Sequence, residues 1–215
     1  MNIEPLPKLI KLGDLVNIIQ RYYNIAENIY INDLNAIEMI KFLLSLFETK
    51  LKLIDYKPAN IEYVSTTWTN LWPNEFGTMC WSPKDYKKAI NLPFSQQSHI
   101  VCQFDTRTPT SWDRNIKIDN IYKICQSFSE IYNIGDRELP FVKNCNKFSL
   151  SEKYDLLSTA KAYIGINSGL SHLSLMTNTK TYILYETNNP WFFYPNSSNI
   201  LQVDDFINFH LESIK

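Results

Sequence analysis

Apolar and polar residues alternate along the first half of the chain in blocks that predict strands and helices in turn. Leu15, Ile18, Ile19 and Tyr22 recur every three to four residues, which predicts a helix with one apolar side. Residues 33–48 predict the clearest helix, with an aspartate at its first position as the N-cap. The predicted strands are short apolar runs: 8–15, 28–32, 50–56 and 61–66. Such alternation favours a parallel sheet with helical crossovers.

The second half repeats this alternation after an interruption. Residues 68–94 mix Trp, Pro, Asn and Gly without a regular period, and 91–98 has the composition of a linker. The predicted strands that follow are 99–105, 130–135, 162–167 and 180–186. The predicted helices are 119–129, 149–160, 168–177 and 204–214, and the second of these begins with a Ser149–Glu152 capping box. The pattern indicates two α/β units of similar size, residues 1–95 and 96–215.

Composition narrows the class of protein. Hydrophobic residues make up 45% of the 215 residues, enough to bury a core, and the net charge of -1 provides no field that would attract nucleic acid. The four cysteines are scattered, without metal-binding spacing. No signal peptide or membrane span is evident, so we expect a cytoplasmic protein with at most a peripheral membrane contact. A binding site for an anion must therefore be local.

The segment YIGINSGLSHLSLM, residues 163–176, is one candidate for such a site. It holds two of the five glycines, between an apolar strand and a helix. Ligands of α/β proteins bind where strands lead into helices, and free N–H groups at a helix start favour phosphate. The alternative is a structural turn in which Ser168 is the N-cap and Gly169 serves packing.

A resemblance to a known family supports the first interpretation. The segment FSLSEKYDLLSTAKAYIGINSGLSHLSLMTNTKTYILYE resembles the C-terminal half of glycosyltransferases of the GT-B fold, closest to the heptosyltransferase-like family 9. In that family this turn holds the diphosphate of a sugar nucleotide. The resemblance implies that Ser168, Gly169, Leu170 and His172 bind the donor. Asn167 is also implied, although the family usually has aspartate there.

The amino-terminal segment KLGDLVN resembles the Gly-Asp turn with which the first strand of these enzymes enters the first helix. The resemblance implies that Asp14 is the catalytic base, which takes the proton of the acceptor hydroxyl. The alternative is that Asp14 is an ordinary helix N-cap.

Three further segments supply candidate ligands. The resemblance places a basic residue in QFDTRTPTSWDRN, where Arg107 and Arg114 are the candidates for phosphate contacts. Glu186, in ETNNPWFFYP, would bind ribose hydroxyls. Trp68 and Trp72 would stack on the acceptor sugar, or would instead fill an interdomain contact.

Together these features predict a compact GT-B protein, in which two Rossmann-like units face each other across a cleft. The resemblance implies an inverting glycosyltransferase that moves a sugar from a nucleotide-diphosphate sugar to a glycan or lipid-linked glycan hydroxyl. No cofactor beyond this co-substrate and no metal is expected, since the chain has no D-x-D pair and no His/Cys cluster. The alternatives are a non-catalytic protein that binds nucleotide or glycan, and another two-lobed enzyme such as a sugar-nucleotide epimerase.

Overall fold

The computed structural model confirms the α/β class and the parallel sheets. Its chain divides into two compact units, Met1–Asn91 with Phe192–Asn196, and Leu92–Trp191 with Ser197–Lys215. The residues that the structure describes are 1–5, 11–59, 62–66, 72–73, 79–80, 85–93, 97–105, 114, 116–195 and 197–215.

The first unit is built on a four-stranded parallel sheet. Its strands are β1 (Asn2–Pro5), β2 (Asn28–Tyr30), β3 (Lys52–Ile54) and β4 (Tyr63–Thr66), in the order β3-β2-β1-β4. Ile3 and Ile29 are paired in register and fully buried, so the inner face of the sheet is apolar. This strand order is that of one half of a Rossmann fold.

Two helices, α1 (Leu12–Tyr22) and α2 (Leu34–Ser45), follow β1 and β2. The predicted apolar side of α1 is confirmed, because its four recurring apolar residues are buried. Asp33 is the predicted N-cap of α2, and its carboxylate accepts a hydrogen bond from Ala36 N at 2.9 Å. The predicted strand over 8–15 is wrong at its carboxyl end, since the helix already begins at Leu12. The first strand instead lies at Asn2–Pro5.

Within residues 68–94, where the sequence shows no regular period, the structure describes a short antiparallel pair of strands, β5 (Trp72–Pro73) and β6 (Met79–Cys80). No described helix in the chain is long and apolar enough to cross a membrane.

The second unit is built on a six-stranded parallel sheet in the order β12-β11-β10-β7-β8-β9. The strands are β7 (Ile100–Gln103), β8 (Ile131–Asn133), β9 (Lys143–Asn144), β10 (Ala162–Ile166), β11 (Lys180–Tyr185) and β12 (Asn199–Gln202). Counted from β7, this is the Rossmann order 3-2-1-4-5-6 read from the opposite edge. Successive strands are added toward one edge of the sheet from β7 to β9 and toward the other edge from β10 to β12, so the strand order reverses between the neighbours β7 and β10. Ligands of such folds bind beyond the carboxyl ends of the strands at that point.

The helices of the second unit are α3 (Ile118–Gln126), α4 (Leu150–Thr159), α5 (Gly169–Ser174) and α6 (Val203–Asp205), which continues as a π-helical turn over Phe206–His210. Trp191–Phe193 form a short 3-10 turn. The predicted capping box of α4 is confirmed: Ser149 accepts from Glu152 N, and the Glu152 carboxylate accepts from Ser149 N.

Every residue of β10 is buried, because helices cover both faces of its sheet. On one face Ile164 lies in the core with Ile124 of α3 and Phe206 of the closing helix. On the other face Tyr163 lies between Val101 and Thr181 of the neighbouring strands. Burial of a large aliphatic side chain contributes about 1.5–3 kcal/mol, so β10 anchors the unit.

Candidate functional site

The candidate site lies at the carboxyl edge of the six-stranded sheet. Strands β7, β10 and β11 are neighbours and run parallel, so their carboxyl ends meet there. The turn 167–168 follows β10, and Glu186 follows β11. In the sequence, both candidate arginines come after β7, and of the two the structure describes Arg114.

The turn after β10 is held by serine hydroxyls. Ser168 is the N-cap of α5, and its Oγ accepts a hydrogen bond from Ser171 N at 3.3 Å. The Ser171 hydroxyl donates back to Ile166 O, the last carbonyl of β10. Asn167, Ser168 and Ser171 are buried. The structural role foreseen for Ser168, that of an N-cap, is therefore present.

Gln103, at the end of β7, connects this turn to the sheet. Its Oε1 accepts hydrogen bonds from Ser168 Oγ at 2.5 Å and from Tyr163 Oη at 3.1 Å. Its Nε2 donates to Asp105 O at 2.9 Å. The Tyr163 hydroxyl also lies 3.1 Å from Ser171 Oγ. A buried, bonded set of polar groups thus spans the point where the strand order reverses.

Gly165 makes room for this arrangement. A Cβ atom added at Gly165 would lie 2.3 Å from the Tyr163 hydroxyl oxygen and 2.5 Å from the adjacent ring carbon. The Tyr163 ring therefore crosses directly over Gly165, two residues along the same strand face. Burial raises the pKa of the Tyr163 hydroxyl well above its usual range, so it stays protonated.

Two backbone amides remain at the start of α5. Within the described part of the chain, Gly169 N and Leu170 N have no hydrogen-bond acceptor. His172 N, further along, bonds Ser168 O at 3.4 Å. The first two amides of α5 are therefore the donors that this turn leaves for another partner.

His172 and Arg114 lie within electrostatic reach of each other. Burial lowers the pKa of His172 to about 3, and the nearby Arg114 charge acts in the same direction. His172 is 5% exposed. Its imidazole is therefore neutral near pH 7, and of these two residues only Arg114 carries a positive charge.

Glu186 lies against the start of α3. Its Oε1 accepts hydrogen bonds from Lys117 N at 2.9 Å and Asn120 Nδ2 at 3.3 Å. The Lys117 ammonium lies 4.0 Å from its Oε2. The carboxylate predicted to bind ribose is thus held by protein donors, in the position of a helix N-terminal acid.

The loop after β8 is tied to the end of β7 by Asp105, a residue that the sequence did not single out. The Asp105 Oδ2 accepts from Asp136 N and Arg137 N, each at 3.0 Å. Burial raises the pKa of Asp105, while these two amides oppose the shift. A Cβ at Gly135 would lie 2.0 Å from Asp105 Oδ1, so only glycine allows this approach.

Asp14 lies in the first unit, inside the first turn of α1. The predicted Gly-Asp turn ahead of the helix is wrong in this respect, because Gly13 and Asp14 are already helical and Lys11 is the N-cap. The side chain is partly exposed. Helix α1 follows β1, which neighbours β4 where the strand order of this sheet reverses.

The other predicted residues give less structural information. Arg107 and Trp68 lie outside the described residues, and only the backbone of Trp72, in β5, is described. No group of three or more His, Cys, Asp or Glu side chains in the described ranges is arranged to hold a metal ion.

Gln103, Tyr163 and Ser171 were missed at the sequence level. The available signals were a glutamine inside an otherwise apolar strand, and a tyrosine two residues before a glycine. Neither signal indicates its partner, because Gln103 and Ser168 are 65 positions apart.

A parallel α/β unit whose central strand leads through a serine-capped turn into a short helix agrees with the resemblance to GT-B glycosyltransferases. A family model gives a more specific likeness. Residues 128–210 match the family model for glycosyltransferase family 9 (heptosyltransferase), and this match extends from just before β8 to the closing helix. The predicted resemblance to a heptosyltransferase-like glycosyltransferase is thereby confirmed for this segment.

Solved structures add likenesses of low identity. The E. coli heptosyltransferase WaaC with ADP-2-deoxy-2-fluoro heptose is 19% identical over 52% of this chain and 38% of its own, with a TM-score of 0.40. A family 9 glycosyl transferase from Veillonella parvula is 12% identical over 89% of this chain and 66% of its own, with a TM-score of 0.44. The chain thus covers 38% of the E. coli protein. A search of curated proteins found no match.

Proposed function

We propose that this protein is a glycosyltransferase that takes its sugar from a nucleotide-diphosphate donor and transfers it to a hydroxyl of a glycan or lipid-linked glycan. The observation that carries the proposal is the family 9 match over residues 128–210, which contains β10, the serine turn and α5. The position of this turn, where the strand order reverses, adds support.

The donor diphosphate lies at the start of α5 in this proposal. The amides of Gly169 and Leu170 donate to its oxygens, and Arg114 supplies positive charge. Arg107 and Asn167 are further donor contacts implied by the resemblance. Neutral His172 orients the donor by hydrogen bonding and carries no charge, since its pKa is about 3. These groups stabilise the leaving diphosphate without a metal.

The reaction is a single displacement with inversion. The acceptor oxygen bonds to the anomeric carbon while the bond from that carbon to the diphosphate oxygen breaks, through an oxocarbenium-like state. The acceptor proton passes to the Asp14 carboxylate, and the electron pair leaves with the diphosphate. Trp68 and Trp72 form the acceptor side, and the cytoplasm supplies the donor.

The test is a panel of ADP-, GDP-, UDP- and CDP-sugars, with binding followed by thermal shift and release of nucleoside diphosphate followed in the presence of glycan acceptors. We expect one nucleotide class to stabilise the protein and to be turned over. The anomeric configuration of the product, read by NMR, reports inversion or retention. Stabilisation without turnover on any acceptor would favour a non-catalytic binding protein, and no stabilisation by any donor would contradict the proposal.

A further inference from the structure

We propose that Gln103 is a positioning residue for the donor site: it holds the turn after β10 in place against Asp105, just after β7. The inference rests on the proposed function, because it concerns the donor site of that function. Gln103 is 6% exposed, so we infer that it acts on the donor site through Ser168 and Tyr163, which it contacts.

The hydrogen bonds of Gln103 leave its amide one orientation. Both short contacts to Oε1 come from hydroxyl donors, Ser168 and Tyr163, whereas Nε2 faces the carbonyl oxygen of Asp105. A flipped amide would set its oxygen against the Asp105 carbonyl oxygen, and neither of these atoms can donate a hydrogen bond. The side chain is therefore locked between β10 and the end of β7.

The same contacts decide what Ser168 does. A serine hydroxyl has one hydrogen, and that of Ser168 points to Gln103 Oε1 at 2.5 Å. Its oxygen meanwhile accepts from Ser171 N. Ser168 therefore stabilises the turn through its hydrogen bonds within the protein. In the proposed donor site, the amides of Gly169 and Leu170 are the groups that bind the diphosphate.

Asp105 extends this connection to a third strand end. Its carbonyl accepts from Gln103, and its carboxylate accepts from the amides of Asp136 and Arg137 after β8. One glutamine thus connects the turn before α5 with the ends of β7 and β8.

The first test removes the hydrogen bonds and keeps the volume. Gln103→Leu leaves the Ser168 hydroxyl and the Asp105 carbonyl without their buried partner, so the turn shifts. We expect the affinity for ADP, GDP, UDP or CDP, whichever the wild-type protein binds, to fall about tenfold or more by calorimetry. The matched control is Ser174→Ala, because Ser174 is a buried serine of α5 whose hydroxyl contacts Thr181 and the Ser171 carbonyl, and neither Gln103 nor Ser168.

The second test uses Gln103→Glu, which distinguishes positioning from general destabilisation. In its protonated form the new carboxyl can still donate to Asp105 O and accept from both hydroxyls, whereas in its ionised form it lacks that donor and repels the diphosphate. Burial raises the pKa of such a carboxyl, so binding relative to wild type should be near normal at about pH 5 and weak at about pH 8. The Tyr163 hydroxyl that contacts this side chain stays protonated, and the Asp105 carboxylate accepts from amides of the β8 loop.

The outcomes separate the two proposals. The inference is supported if the wild type and Ser174→Ala bind nucleoside diphosphate normally, Gln103→Leu binds it weakly, and binding by Gln103→Glu depends on pH. Normal diphosphate binding by Gln103→Leu, or a Gln103→Glu affinity ratio that does not change with pH, overturns it and leaves the glycosyltransferase proposal intact. If the wild type binds no nucleoside diphosphate, both the inference and the glycosyltransferase proposal are overturned. If Gln103→Leu does not fold, Gln103→Glu decides, with its melting temperature measured at each pH.

Discussion

The central strands of the two sheets differ in burial. In the second unit all five residues of β10 are buried, whereas in the first unit β1 alternates between buried and partly exposed residues. Helices cover both faces of β10, and its carboxyl end meets the bonded polar set around Gln103. The difference shows that the central strand of the second unit is fully enclosed and ends at buried polar groups that hydrogen-bond one another.

The two candidate halves of the reaction therefore have different support. The family 9 match lies at residues 128–210, and the candidate donor residues around the β10 turn fall in that range. Asp14 and the tryptophans lie in the first unit, outside the matched segment, and their roles stay predictions. Experiments that separate donor binding from transfer are the sharpest test of this division.

The largest effect is expected at Asp14. Asp14→Ala should lower sugar transfer roughly 10²–10⁴-fold, because the acceptor loses its general base, while nucleoside diphosphate affinity stays unchanged. Glu38→Ala is the control, since Glu38 is an exposed acid of the same unit that pairs with Lys41. Full transfer by Asp14→Ala would remove this residue from the mechanism and leave the first unit without an assigned catalytic group.

The next effect tests the packing of the second unit. Gly165→Ala should lower the free energy of unfolding by about 1–3 kcal/mol, because the new Cβ meets the buried Tyr163 ring. Urea denaturation measures this loss. In a Tyr163→Ala background the same substitution should cost much less, since the obstructing ring is gone. Equal costs in both backgrounds would contradict the observed ring position.

A third prediction concerns His172 and pH. Its pKa falls from 6.5 to about 3 on folding, so the unfolded chain binds the proton more strongly. The stabilisation by neutral His172 is fully present above about pH 6.5 and is lost as the pH falls toward 3, by up to about 1.4 kcal/mol per pH unit. Unfolding measured from about pH 4.5 to 8 should show this slope in the wild type. His172→Gln should remove it, and an unchanged slope would contradict the assignment.

The smallest expected effects are losses of stability when a helix cap is removed from one unit or the other. Asp33→Ala in α2 and Ser149→Ala in α4 each remove a side-chain N-cap, at a cost of about 1 kcal/mol. Hydrogen exchange should show reduced protection in the first unit for Asp33→Ala and in the second for Ser149→Ala. Equal loss in both units for either variant would indicate that they unfold together.

Much of the fold was predictable because its signals are local. The spacing of Leu15 and Ile18 identified α1, and Asp33 and Ser149 marked helix starts through hydrogen bonds three residues away. The first strand was misplaced because residues 8–15 combine an apolar run with the true start of α1. A short apolar run fits either a strand or a buried helix turn.

The candidate site was predictable only in part. Ser168 and Gly169 lie in one recognisable segment, so the turn could be found from the sequence. Gln103 could not, because its partners come from β10 and α5, and strand order decides which strands are neighbours. The role predicted for Glu186 stays a prediction, and its contacts with Lys117 and Asn120 could not be read from the sequence.

The sequence by itself determined the alternation of strands and helices, the caps of α2, α4 and α5, and the family 9 segment, since each depends on residues close together in the chain. The tertiary structure alone decided that β10 lies beside β7, that Gln103 meets Ser168 and that Arg114 lies near His172. These contacts join residues far apart in sequence, and only the packing of the sheet and its helices brings them within hydrogen-bonding or electrostatic range.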